Sequence, residues 1–138
     1  MFRKFLVFLG LFVCTTFMLS GCGKPTSIIL FNKFSITKEN MLQNSSEFVA
    51  GKRIYYIFIT EKPLETDMVR VKVIKREEKA NFALGKIVYS NDFRLNKDQV
   101  YYYNDYIVIH EAGYYCMAIY DKNDMERPLM IGDFRVIR

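Results

Sequence analysis

The side chains of this 138-residue chain with the most chemistry to offer are three cysteines and a single histidine. Cys14 sits inside an apolar run, Cys22 stands between Gly21 and Gly23, and Cys116 follows two tyrosines in Gly113–Tyr120. A catalytic thiol needs a base and a group that orients it. His110 is the one imidazole, six residues before Cys116 and near the same hairpin corner, and no third member is in sight. One histidine and scattered thiols do not make a tetrahedral metal set. Glu61, Glu65 and Asp67 fall in a loop, where spacing says nothing about proximity. Asp121, Asn123 and Asp124 alternate as calcium-ligating oxygens do, but the glycine and distal glutamate of a full calcium loop are missing. They read as a turn. With no Ser-His-Asp set, phosphate loop or zinc signature, the expectation is a chain without catalytic residues, metal or dissociable cofactor.

The elements around Cys22 give it a different chemistry. Arg3 and Lys4 are followed by an uncharged stretch from Phe5 to Leu19. That is short for a bilayer-spanning helix, which needs about 20 residues, and has the length of a signal-peptide core. The stretch ends in Leu19-Ser20-Gly21-Cys22, which resembles the lipobox of bacterial lipoproteins: leucine three before the cysteine, small residues directly before it, then the cysteine. The resemblance implies that residues 1–21 are a signal peptide recognised at Leu19, Ser20 and Gly21. It implies further that Cys22 becomes the first mature residue and carries a thioether-linked diacylglyceryl group with palmitate-type acyl chains. Two such chains anchor stably where one binds marginally, at about 0.8 kcal/mol per buried methylene. The implied address is the cell envelope outside the cytoplasm. Because Gly23 rather than aspartate follows the cysteine, it is the outer membrane where the host has two. The other reading of the run is an uncleaved membrane helix.

Beyond Cys22, residues 22–27 form a lipidated tether and residues 28–138 a single domain. The formal charge of +5 includes Arg3 and Lys4 and is nearer +3 without them. The longest charged cluster, Lys75-Arg76-Glu77-Glu78-Lys79, mixes signs, so nucleic acid is not an expected partner. Aromatic content is 16%, and such residues favour strands. Strands are expected over 27–36, 53–60, 67–77, 83–90, 99–110 (with a break at Asn104-Asp105), 113–121 and 128–138. Residues 40–52 read as a loop and 91–98 as turns. Val69, Val71 and Val73 alternate with Arg70 and Lys72, the pattern of a strand with one wet face. About seven short antiparallel strands with regular turns predict an all-β sandwich.

Glu111–Tyr120 is similar to the sixth strand of immunoglobulin-like (Ig-like) domains, in which a tyrosine stands two residues before a cysteine. The resemblance assigns those roles to Tyr114 and Cys116. It implies that the Tyr114 hydroxyl bonds back onto the corner backbone. Tyr56 or Phe58 stands where a partner cysteine would be, so the resemblance is to a disulfide-free Ig-like or fibronectin-III-like module.

If Tyr114, Cys116 and Ala118 face the core, then Tyr115, Met117 and Ile119 form an apolar stripe on the outer face. That stripe and the run Tyr101, Tyr102, Tyr103, with Tyr106 near, are the candidate partner-binding residues. Packing of these same residues inside the domain is the competing reading. The functional expectation is a membrane-anchored, non-catalytic module that binds another envelope protein or a host protein. A glycan-binding lipoprotein using exposed tyrosines and a small envelope hydrolase with an unrecognised site are the alternatives.

Overall fold

Runs of isoleucine, valine, phenylalanine and tyrosine alternate with turn residues along the chain, and each such run pairs laterally into a sheet. The computed structural model describes residues 26–76 and 85–138. The lipobox, with Cys22, and residues Glu77–Lys79 of the charged cluster lie outside the described residues. Eight strands are described: β1 (Ser27–Asn32), β2 (Glu47–Val49), β3 (Arg53–Thr60), β4 (Met68–Arg76), β5 (Lys86–Arg94), β6 (Tyr102–Val108), β7 (Gly113–Asp121) and β8 (Met130–Ile137). They form a three-stranded sheet, β1-β3-β6, and a five-stranded sheet, β2-β8-β7-β4-β5. The two sheets share one core, so the domain is an all-β sandwich.

Several expectations are corrected. Every pairing is antiparallel except β2 with β8, which is parallel. β2 lies in the stretch read as a loop because it is three residues long and only Phe48 is buried, too little for a visible alternation. β5 runs through Asn91–Arg94, read as turns. It is an edge strand, so its polar residues remain in water while Phe93 packs against the core. β6 passes Asn104-Asp105 without a break.

The largest correction concerns β7. Val71 and Val73 of β4 point into the core and pair with Ile119 and Met117 of β7. Residues opposite each other across a ladder share a face, so Tyr115, Met117 and Ile119 point inward, each at most 1% exposed. They are core, not an outer stripe. Tyr114, Cys116 and Ala118 lie on the other face. The backward bond assigned to Tyr114 is made by Tyr115, whose hydroxyl donates to the Glu111 carbonyl at 2.6 Å. β7 is buried on both sides from Tyr115 to Tyr120, so its hydropathy has no phase for a sequence reading to follow.

Around Tyr115 the core is aromatic. Its ring stacks on Phe134 (5.6 Å, 12° between planes), and Phe134 meets Phe31 at 4.9 Å. Phe48 adds edge contacts to both phenylalanines. Phe31 reaches across from β1 because position 132 in β8 is glycine. A Cβ there would stand 2.8 Å and 3.0 Å from Phe31 ring carbons and 3.1 Å from the Ile29 Cβ. Gly51 serves a different need: its φ of 80° turns the chain from β2 to β3, with the Lys52 amide donating to the Val49 carbonyl at 3.2 Å.

Two outcomes follow from this core. Gly132→Val drives a side chain into Phe31, and overpacking of this kind costs about 1–3 kcal/mol; denaturant unfolding should show a lowered midpoint at unchanged slope. Tyr56 is fully buried at the core with a hydroxyl that has no hydrogen-bond partner among the described residues. Burial first, then neighbouring Tyr103, raises its phenol well above the ordinary range. Tyr56→Phe removes an unpaired polar atom, whose burial costs about 1–3 kcal/mol. The variant should be at least as stable as the parent in the same unfolding experiment.

Candidate binding surfaces

β3 is apolar on both faces, yet only one of them can meet the other sheet. Ile54, Tyr56 and Phe58 enter the core, and Arg53, Tyr55, Ile57 and Ile59 are left on the outside of the three-stranded sheet. The register lines up four rows across that outer face: Ile28–Ile59–Tyr102, Leu30–Ile57–Asn104, Asn32–Tyr55–Tyr106, and Arg53–Val108. Tyr102 is 52% exposed and Tyr106 43%; Ile28 and Val108 are also exposed. Ile57 in the middle is covered by its neighbours. These rows contain no carboxylate, and Arg53 is their one ionised side chain.

The outer face of the five-stranded sheet mixes ion pairs with exposed Ile87, Ile131 and Tyr114. Arg70 donates to both oxygens of Asp92 at 2.6 and 3.0 Å, and Lys122 reaches the same carboxylate at 3.1 Å. The two cations hold the Asp92 carboxyl far below the usual carboxylate range. Arg76 pairs with Asp133 at 3.1 Å, and Arg135 lies between Glu47 (3.7 Å) and the Tyr114 ring (5.3 Å). Lys72 covers the Tyr120 ring at 5.2 Å. Arg70, Arg76, Lys122 and Arg135 thus have carboxylate partners while Lys72 has only a ring, and exposed pairs of this kind contribute little to stability.

Of the candidate residues, Tyr101 and Tyr102 are exposed, Tyr101 in the turn before β6 and Tyr102 on the apolar face. Tyr103 turns inward, half-buried between Phe93 (5.3 Å) and Phe58 (6.0 Å), with its hydroxyl donating to Asp105 at 3.1 Å. Tyr115, Met117 and Ile119 are in the core, as above. The sequence reading missed Arg53, Tyr55, Ile59 and Ile28. The signal was present: a strand apolar in both phases, in a two-layer domain, must leave one phase outside.

Chemistry-bearing residues are kept apart. Cys116 is buried on the outer side of β7, near Asp133 and Arg76, whereas exposed His110 lies against Gly51 at the β2–β3 turn. Asp121 accepts the Asn123 amide at 2.9 Å and Asp124 accepts the Glu126 amide at 3.2 Å, so these carboxylates close the β7–β8 turn. Among the described residues no group of three His, Cys, Asp or Glu is placed to hold a metal ion. No described helix is long and apolar enough to cross a membrane.

Two clefts flank Tyr55 at one end of the apolar face. One, of about 290 Å³, is lined by Lys33, Phe48, Val49, Lys52, Arg53 and Tyr55. The other, of about 200 Å³, is lined by Ser35, Ile36, Tyr55, Asn104, Asp105 and Tyr106. Tyr55 and Tyr106 face one another at 5.8 Å, and the Arg53 guanidinium lies 4.5 Å from the centre of the Tyr106 ring.

No protein-family model and no curated protein matches the chain. Among solved structures, it is similar to the soluble domain of PmoD from Methylocystis sp. ATCC 49242 (Rockwell). The similarity has a TM-score of 0.54 at 13% identity and covers 83% of this chain and 94% of that one. The likeness shows a shared fold. A β-glucosidase from Kluyveromyces marxianus aligns with TM-score 0.42 and 14% identity over 14% of its length.

Burial, followed by the Asp133 carboxylate, pushes the Cys116 thiol up to about 12. Only the thiolate reacts appreciably. A disulfide exchange reagent at pH 8 should therefore leave Cys116 unlabelled in the folded protein and label it on unfolding; fast labelling of the native state would contradict the burial.

Proposed function

We propose that the chain is a cell-envelope lipoprotein, anchored through acylated Cys22, whose β-sandwich is an Ig-like, non-catalytic module that binds another envelope protein or a host protein. The observation that carries the reading is the outer face of the three-stranded sheet. Its rows hold a single ionised side chain, Arg53, and present exposed Tyr102, Tyr106, Val108 and Ile28. Contiguous apolar surface rimmed by polar groups marks interaction sites, and tyrosine is enriched in them. The Ig-like assignment is supported by the sheet order, by β2 running parallel to β8, and by the Tyr115–Glu111 corner bond. The likeness to a soluble domain fits a sandwich that stands outside a bilayer. The anchor reading is supported by Leu19-Ser20-Gly21-Cys22 and by the few residues that separate Cys22 from β1.

A second reading, glycan recognition, is favoured by the exposure of Tyr101 and Tyr102, since aromatic rings offer flat faces for sugars. The hydrolase alternative gains nothing from the clefts: neither is lined by His110 or by a pair of carboxylates.

The mechanism is tethering. A domain fixed to a membrane meets partners on that membrane at a raised effective concentration. Cys22→Ser should leave an unprocessed precursor and abolish metabolic labelling with a fatty acid; labelling that persists in the variant overturns the lipoprotein reading.

A further inference from the structure

We propose that the paired clefts around Tyr55 form a binding site for an acidic oligosaccharide, with a sugar carboxylate in the cationic cleft and sugar rings against Tyr55 and Tyr106. The proposal rests on the second, glycan-recognition reading of the module and gives a chemical class to the ligand at one end of the apolar face.

Three cations, Lys33, Lys52 and Arg53, line the larger cleft, and none of its lining residues is acidic. Elsewhere on the sandwich Arg70, Lys75, Arg76, Lys122 and Arg135 each have a carboxylate partner, while Lys72, Lys86 and Arg94 stand in no ion pair among the described residues but do not share a cleft with other cations. Lys33, Lys52 and Arg53 form no salt bridge among the described residues. Three like charges held together cost free energy unless an anion joins them. Arg53 is positioned for that task. Its guanidinium lies 4.5 Å from the centre of the Tyr106 ring, so the planar fork is directed by an aromatic contact rather than by a protein carboxylate. Such a fork matches a carboxylate in two-point geometry.

A bare inorganic anion would use only half of this arrangement. The second cleft shares Tyr55 and adds Ser35, Asn104, Asp105 and Tyr106, which supply hydroxyl, amide and carboxylate groups of the kind that pair with sugar hydroxyls rather than with a second sugar carboxylate. Aromatic rings therefore stand between a cationic hollow and a hydrogen-bonding one. A chain of uronic-acid residues offers the complementary sequence of groups: carboxylate, ring, hydroxyls. The site lies beyond the Asn32 end of β1, remote from Ser27 where the chain enters the domain. With the anchor at Cys22 proposed above, the chain enters the domain at the opposite end of β1 from this site.

The test is calorimetric titration of the full chain in detergent solution with three probes: an oligogalacturonate, the same oligosaccharide with its carboxyls reduced to alcohols, and inorganic phosphate. The proposal expects saturable binding of the oligogalacturonate, weakened by added salt, and none of the reduced form. Arg53→Gln should weaken binding about tenfold, the scale of a lost charge-assisted hydrogen bond; Lys33→Gln should act in the same direction. Equal binding of the reduced sugar, or phosphate binding as tight as the oligogalacturonate, overturns the proposal. The native protein with the three probes decides this even if a variant folds poorly. Failure here is separable from failure of the module reading. A captured envelope protein that is lost with Tyr102→Lys but kept with Arg53→Gln would sustain the module while the acidic-sugar assignment falls. Absence of both kinds of ligand would sink both.

Discussion

The ladder between β4 and β7 is the constraint on which the rest of the domain depends. Valines at 69, 71 and 73 can only point one way, because Arg70 and Lys72 between them must reach water. Pairing then forces Met117 and Ile119 to the same side and brings Tyr115 with them. Tyr115 in turn closes the corner at Glu111 and stacks on Phe134, and Phe134 seats Phe31 of the opposite sheet. A single choice of phase in one strand is thereby transmitted across both layers. The long-range character of these pairings means that no segment of the chain settles its own orientation alone.

That dependence explains what was legible in the sequence and what was not. β3 and β4 are readable from their own residues: one is an unbroken apolar run, the other alternates cleanly. Each sits beside neighbours on both edges within its sheet, where intrinsic preference and context agree. β7 is covered on both faces, so two adjacent tyrosines were equally good candidates for the corner and the wrong one was favoured by its spacing from Cys116. The choice needs β4, some forty residues earlier. β2 escaped notice because three residues joined to β8 derive their conformation from the partner rather than from a pattern of their own. The polar stretch at the end of β5 has the composition of turns because edge strands are allowed the composition of loops.

Of the candidate surface, the tyrosine run was half legible. Alternation splits any run of three, so one member had to differ from its neighbours: Tyr103 went inward and Tyr102 outward. What a linear reading could not assemble is the row structure, in which Ile28, Ile59 and Tyr102 become neighbours although they lie far apart along the chain. Nor could it gather Lys33, Lys52 and Arg53, which come from the loop after β1, the β2–β3 turn and the first residue of β3.

The direction of β1 has a consequence for electrostatic range. The strand enters at Ser27 and delivers Lys33 at its far end, a span of about 20 Å for six residues of extended chain. Ionic atmosphere in physiological salt damps a field within about 8 Å. In the anchored arrangement proposed above, and with β1 standing upright from the bilayer, a surface rich in anionic lipid would be electrically invisible to Lys33, Lys52 and Arg53. Their charge would stay uncompensated by the surface that carries the protein, and the sandwich would act as a standoff that keeps a cationic tip available to whatever approaches from the other side.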